Sequence, residues 1–170
     1  MRTQGIEDYT VSHVRPKAAQ LALMSDPLRL VTAHEIHELS DALAKGHVPR
    51  DLETKLMKLA LGDLGRRYIE RNCRMIIALL QAAQQGSFGA SREECERLLR
   101  VLAYVRKDDD AIADYRPDGF ADDQQEIRVV ATELDPVFQS FKSWRLRHQV
   151  PGMWRPEPIY RFSATDLNRS

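Results

Sequence analysis

The sequence predicts an all-α protein, a single helical bundle of five to six helices. Apolar residues recur at helical spacing through most of the 170 residues, and no segment shows the alternating pattern that is typical of a strand. Cap signatures open several of the periodic segments, and Ser91 with Glu94 forms the clearest of them. The length suits one domain with a hydrophobic core of its own.

The chain divides by pattern into a lead-in, a helical domain and an arm. Residues 1–15 show no period and are expected to be loosely ordered, whereas residues 16–148 carry the helices. Residues 149–170 contain three prolines, which cannot continue a helix, and they predict an extended C-terminal arm. Trp154 and Tyr160 in that arm are candidate contacts for a partner.

Proline and glycine bound the first helices. A short helix is expected over residues 16–24. Asp26 and Pro27 then form an N-cap followed by proline at the first helical position, which is typical of a helix start. Gly46 is expected to end that helix, because glycine adopts the left-handed conformation of a C-terminal cap at low cost.

The next segment, residues 52–85, is predicted to be helical with a break near Gly62 and Gly65. Its second half has a wide apolar face, which predicts the most buried helix of the protein. Cys73 lies on that face and is expected to act as a small buried hydrophobe. Two cysteines in this arrangement predict neither a disulfide framework nor a metal site.

Ser91 is expected to open a further helix, and another is expected to begin near Asp122. Pro136 lies inside the pattern of this last helix and cannot donate a hydrogen bond to the carbonyl of Thr132. Asp135 precedes it as a candidate cap, so the pattern predicts that a new helix starts at this point.

The acidic segment, residues 108–123, is the most unusual part of the chain. Seven of its sixteen residues are aspartate, and Arg116 carries its one positive charge. Aspartate accepts hydrogen bonds from backbone amides in turns and at helix starts, which favours a capped turn between two core helices. A site for Mg²⁺ or Ca²⁺ is an alternative, although the spacing is not that of an EF-hand. Its candidate ligands are Asp110, Asp114, Asp122 and Asp123.

Residues 98–148 resemble the YkvA-like family of small bacterial helical domains. The resemblance is carried by Ala103-Tyr104, by residues 109–114, and by Pro117, Gly119 and the pair Asp122-Asp123. Ala113 stands where the family has proline, and the spacing from Pro117 to Gly119 is one residue short. The resemblance implies a helix-loop-helix core and a bacterial source, and it implies no particular activity.

Charge is balanced over the whole chain but segregated along it. Lys+Arg and Asp+Glu number 25 each, so no global field attracts nucleic acid or membrane. Residues 52–107 contain eleven basic and six acidic residues, whereas residues 108–126 contain eight acidic and one basic. We therefore expect the acidic segment to face a protein partner or a second copy, or to pair with the basic region of its own chain. The candidate partner contacts are Asp108, Asp109 and Asp118.

A nucleic-acid site is a further alternative, because Arg67, Arg71 and Arg74 form a basic stripe on one helix. The zero net charge and the lack of interleaved aromatic residues disfavour it. No catalytic triad or phosphate-binding loop is evident, which disfavours an enzyme. No apolar run is long enough to span a bilayer and no signal peptide is evident, so a cytoplasmic location is expected. The sequence thus favours a non-catalytic interaction or regulatory subunit that needs no cofactor.

Overall fold

The structure is a computed structural model, and it describes residues 27–108, 114 and 119–148. These residues form a short 3₁₀ turn and six α-helices, with no strand among them, which confirms the all-α prediction. The turn is Pro27–Leu30, and the helices are α1 (Ala33–Ala44), α2 (Arg50–Ala60), α3 (Leu64–Gln84), α4 (Arg92–Arg106), α5 (Ala121–Glu133) and α6 (Asp135–His148). The predictions for the lead-in, for the helix over residues 16–24 and for the C-terminal arm fall outside the described residues.

The first described α-helix starts later than the Asp26-Pro27 signature predicted. Residues 27–30 form the 3₁₀ turn, and α1 begins after Thr32. Glu35 N donates to the Thr32 hydroxyl at 3.2 Å, while Glu35 Oε2 accepts from Thr32 N at 2.7 Å. This capping box satisfies amide groups at the true start of the helix, which the aspartate-proline pair would not reach. The prediction for the other end is confirmed, because Gly46 follows α1 with a φ of 76°.

Helices α2 and α3 form a hairpin, and the helical pattern is interrupted near Gly62, as the sequence predicted. Asp63 caps α3 by accepting a hydrogen bond from Arg66 N at 2.9 Å. A Cβ atom at Gly62 would lie 2.4 Å from Arg66 Cδ, so the tight connection requires glycine. Three residues join the two helices, and α3 packs back against α2.

The core is centred on α3 and α4. Helix α3 contributes eight buried residues, including Cys73, whose thiol pKa is raised by burial. Helix α3 thus has the most buried residues of the described helices, as predicted, but the buried share is larger in α4, where seven of fifteen residues are buried and Val101–Val105 are buried in succession. The reason is that α1, α2, α3 and α5 all pack around α4, so that no face of this half is left to solvent.

Helices α5 and α6 cover the remaining side of the core. Helix α6 begins at Asp135, which confirms the predicted restart at Pro136. Its buried Phe141 packs edge-on against Phe88 with ring centroids 5.1 Å apart and stacks on Trp144 at 5.6 Å. Among the described helices, none has the length and apolar character needed to cross a bilayer.

Candidate functional site

Lys55 on α2 is the centre of the charge arrangement around the acidic segment. Its side chain is only 7% exposed. The ammonium donates a hydrogen bond to the carbonyl of Lys107 at 2.5 Å. It also faces three carboxylates: Asp114 Oδ2 at 2.7 Å, Asp123 Oδ2 at 3.5 Å and Asp108 Oδ1 at 3.9 Å. One cation thus joins the end of α4, the acidic segment and the start of α5 to α2.

Burial explains why several carboxylates surround this lysine. An ammonium removed from water is costly unless charges and hydrogen bonds replace its hydration. Burial raises the pKa of Asp114, the bond to Lys55 opposes that rise, and the neighbouring Asp108 carboxyl adds to it. Three carboxylates thus face one ammonium in this Lys55 cluster, which comprises Lys55, Asp108, Asp114 and Asp123. The positive charge of Lys55 offsets part of their mutual repulsion.

The pair Asp122-Asp123 at the start of α5 is also directed into the protein. Tyr104, which is fully buried, donates its hydroxyl hydrogen to Asp122 Oδ2 at 2.6 Å. Both aspartates lie in the first turn of α5, where negative charge complements the helix dipole. The position that the sequence assigned to a helix start is thus also a point of attachment between α5, α4 and α2.

The four residues proposed as metal ligands do not form one site among the described residues. Asp114 and Asp123 share Lys55, Asp122 contacts Tyr104, and Asp110 lies outside the described residues. Within the described ranges, no group of three His, Cys, Asp or Glu side chains is arranged to hold a metal ion. The ammonium of Lys55 occupies the point that Asp108, Asp114 and Asp123 face.

Of the five residues predicted to contact a partner, Asp108 is the one that lies in the described part of the chain. The side chain of Asp108 is 85% exposed and lies at the edge of the Lys55 cluster. Asp109, Asp118, Trp154 and Tyr160 lie outside the described residues. For Asp108, Asp114 and Asp123, the prediction of pairing within one molecule is confirmed by their distances to Lys55.

Beside the cluster lies an open groove of about 1100 Å³ between α1, α2 and the acidic segment. Arg106 supports its wall by bonding Asp51 at 2.6 Å and Glu38 at 3.0 Å, which joins α4 to α2 and α1. Lys107 makes a second link, 2.7 Å from Glu35 on α1. The residues that line the groove include Glu38, Ala42, His47, Arg50, Thr54, Lys58, Asp108 and Phe120.

The predicted arginine stripe is divided by the fold. Arg74 donates two hydrogen bonds to Glu53, at 2.8 and 2.9 Å, and a third to Glu70 at 3.0 Å. The bond from Arg74 holds the pKa of Glu53 below its ordinary value. Arg67 and Arg71 remain exposed on α3. Arg74 therefore serves to hold α2 against α3, and two members of the stripe are left at the surface.

The corner between α2 and α3 carries an exposed apolar surface that was not predicted from the sequence. Met57, Leu61 and Leu64, hereafter the corner patch, have exposures of 59%, 91% and 67%. A signal was present in the sequence, because Leu61 and Leu64 flank the predicted helix break, where no further helix was available to cover them. Lys55 was also missed, although it interrupts an apolar stripe between two leucines, Leu52 and Leu59.

Comparison of the chain with protein-family models, curated proteins and solved structures found no match. The YkvA-like resemblance thus rests on the motif of residues 98–148 alone and stays a prediction.

Proposed function

We propose that the protein is a non-catalytic interaction subunit that binds a protein partner in the groove between α1, α2 and the acidic segment. The observation that carries this proposal is the ion-paired wall of the groove. Arg106 links three helices, and Lys55 ties the acidic segment to α2. A preorganised wall loses little conformational freedom when a partner binds, which favours recognition.

The chemistry of the rim indicates the kind of segment that would bind. Arg50, Thr54 and Lys58 follow one another at intervals of four residues along the exposed side of α2. Asp108 supplies the opposite charge among the residues that line the groove. A partner segment with acidic groups toward α2 and a basic group toward Asp108 would match this rim. Charge complementarity of this kind contributes specificity and association rate more than affinity.

The side-chain chemistry of the described residues supports a binding role. Arg106 is bonded to Asp51 and Glu38 in the wall of the groove, whereas Arg50 and Lys58 on its rim are exposed. Exposed charges beside a preorganised wall favour recognition of a charged partner segment.

Photo-crosslinking tests the proposal. Thr54 lies in the groove and Thr132 lies on α5 away from it. Both are exposed, and both donate to the carbonyl four residues earlier, so they form a matched pair. With a photo-reactive phenylalanine analogue at each position, we expect a discrete adduct in cells from position 54 and none from position 132. The adduct should disappear when Arg50 and Lys58 are both changed to glutamate. Identical patterns from the two positions would refute binding in the groove.

The divalent-metal alternative has one observation in its favour, because three carboxylates converge within 2.7–3.9 Å of a single point. That point is occupied by the ammonium of Lys55. Calorimetric titration with Mg²⁺ and Ca²⁺ of the natural protein and of Lys55→Met separates the two functions. Binding by the natural protein would favour the metal, whereas binding by neither protein removes this alternative.

A further inference from the structure

The corner patch projects from the protein at a rigid turn. Leu61 ends α2 and Leu64 begins α3, and their large exposures mean that few atoms of the chain surround either side chain. Gly62 and the cap formed by Asp63 hold the connection in a tight conformation. Leu61 therefore forms a convex apolar tip, whereas Leu64 also borders a pocket of about 430 Å³ that Phe120 helps to line.

The surroundings of this tip are basic. Between residues 57 and 71, the exposed basic residues are Lys58, Arg66, Arg67 and Arg71. The one exposed acidic side chain in that stretch is Asp63, whose carboxylate accepts a hydrogen bond from Arg66 N. Glu70 is buried and bonded to Arg74. The exposed side chains of α2 and α3 near this turn are thus apolar at the corner and mostly basic beside it, although the whole protein is neutral.

We propose that the corner patch inserts into the surface of an anionic lipid bilayer, with Arg67 and Arg71 at the level of the phosphates. Apolar side chains on such a tip enter the boundary of the acyl chains, while basic side chains beside them remain among the headgroups. Each basic residue near an anionic surface strengthens binding by roughly fivefold. Lys58 borders both surfaces, but no residue of the corner patch lines the groove, so variants of the leucines test the membrane contact without changing the groove lining.

The convex shape favours a bilayer over a protein at this site. A protein partner would have to offer a concave acidic pocket fitted to Leu61, whose side chain stands 91% exposed. A bilayer accepts any convex apolar tip, because its lipids rearrange around the inserted side chains. The flank needs no particular hydrogen-bond geometry either, since Arg67 and Arg71 would face a layer of phosphates.

Flotation with vesicles tests this assignment. The full chain is mixed with vesicles of phosphatidylserine and phosphatidylcholine, and separately with vesicles of phosphatidylcholine alone. We expect binding to the anionic vesicles that weakens as salt is raised, because salt screens charges at the surface. The double variant Leu61→Ser/Leu64→Ser should bind at least roughly tenfold more weakly. Arg67→Gln/Arg71→Gln should lose roughly tenfold or more on anionic vesicles.

Leu146→Ser is the matched control, because Leu146 is an 80% exposed leucine on α6, away from the corner. It should bind the anionic vesicles as the natural protein does. The proposal is overturned if the natural protein does not float with anionic vesicles at low salt, or if all three variants lose binding equally. Self-association that depends on Leu61 and Leu64, seen by light scattering without vesicle binding, would assign the patch to a protein interface instead. Circular dichroism confirms that each variant is folded.

Discussion

The Lys55 cluster and the corner patch lie on the same helix hairpin, but charged side chains are paired in the first and exposed beside the second. Around Lys55 the fold gathers carboxylates such as Asp114 and Asp123 and pairs them with one buried ammonium. At the corner it leaves Arg67 and Arg71 exposed beside apolar side chains. Asp114, Asp122 and Asp123 of the acidic segment thus supply structural links, and the less conspicuous corner supplies accessible charge. Charge density in a sequence is therefore a poor guide to which charges are available for binding.

The largest effect is expected from removing the cation of the cluster. Lys55→Met leaves Asp114 and the fully buried Asp123 without the ammonium beside them. Breaking a buried ion pair in this way costs about 3–5 kcal/mol of unfolding free energy. Urea denaturation at neutral pH measures the loss. Lys58→Met, an exposed change on the same helix, should alter stability by less than about 0.5 kcal/mol.

A second variant shows whether the loss comes from the carboxylates. Adding Asp123→Asn to Lys55→Met should restore part of the stability, because one buried negative charge is removed together with its partner. If Lys55→Met and Lys58→Met unfold at the same urea concentration, the Lys55 cluster does not hold the acidic segment in place.

An intermediate effect is expected at the second attachment of α5. Tyr104→Phe removes the hydroxyl that bonds Asp122 at 2.6 Å. A hydrogen bond to a charged group contributes about 1.5–3 kcal/mol, and the change leaves the buried ring in place. Thermal and urea unfolding should both show the loss. Tyr68→Phe, at a half-buried position on α3, is the control. An equal loss of unfolding free energy in that variant would show that the bond to Asp122 contributes nothing beyond the loss of any tyrosine hydroxyl.

Much of the fold was predictable from the sequence, because the determinants are local. The break at Gly62, the box at Ser91 and the restart at Pro136 depend on residues within one helical turn. The Asp26-Pro27 signature misled because Thr32, with its own capping box, competes for the same helix start a few residues later.

The candidate sites were less predictable, because they depend on distant residues. Lys55 and Asp123 are far apart in the chain, and no periodicity relates them. The exposure of Leu61 depends on whether another helix covers the corner, and a sequence pattern marks it only as apolar. Pairing between the basic and acidic regions was predictable as a possibility, but the lysine that makes it was not.

A smaller effect, on pH dependence, is expected at the link between Lys107 and Glu35 on α1. Burial would raise the pKa of Glu35, but the bonds from Lys107 and Thr32 outweigh it and lower that pKa to about 2. Because the folded pKa lies below the unfolded one, the contribution is present at neutral pH and is lost as the pH falls from 4.5 toward 2. The side chain is 32% exposed, so solvent screening limits the contribution to about 1 kcal/mol.

Glu35→Gln removes the carboxylate charge that makes this contribution, while glutamine can still complete the capping box with Thr32. We expect the variant to be less stable than the natural protein near neutral pH, and the difference should shrink as the pH falls from 4.5 toward 2 and Glu35 becomes protonated. Urea unfolding across this range makes the measurement, with Glu93→Gln in the first turn of α4 as control. A difference that persists unchanged at low pH would assign the effect to packing and not to charge.

The smallest effect is expected at the corner itself. Leu61→Ser/Leu64→Ser removes two apolar side chains that the fold leaves 91% and 67% exposed, so little buried area is lost. The change in unfolding free energy should stay within about 0.5 kcal/mol, the range of ordinary surface substitutions. Urea denaturation of this variant and of Lys55→Met therefore compares how much each region contributes to the unfolding free energy. A loss of 2 kcal/mol or more, about what burying a leucine contributes, would mean that the corner leucines support the hairpin. With stability unchanged, any loss of vesicle binding by this variant comes from the membrane contact and not from unfolding.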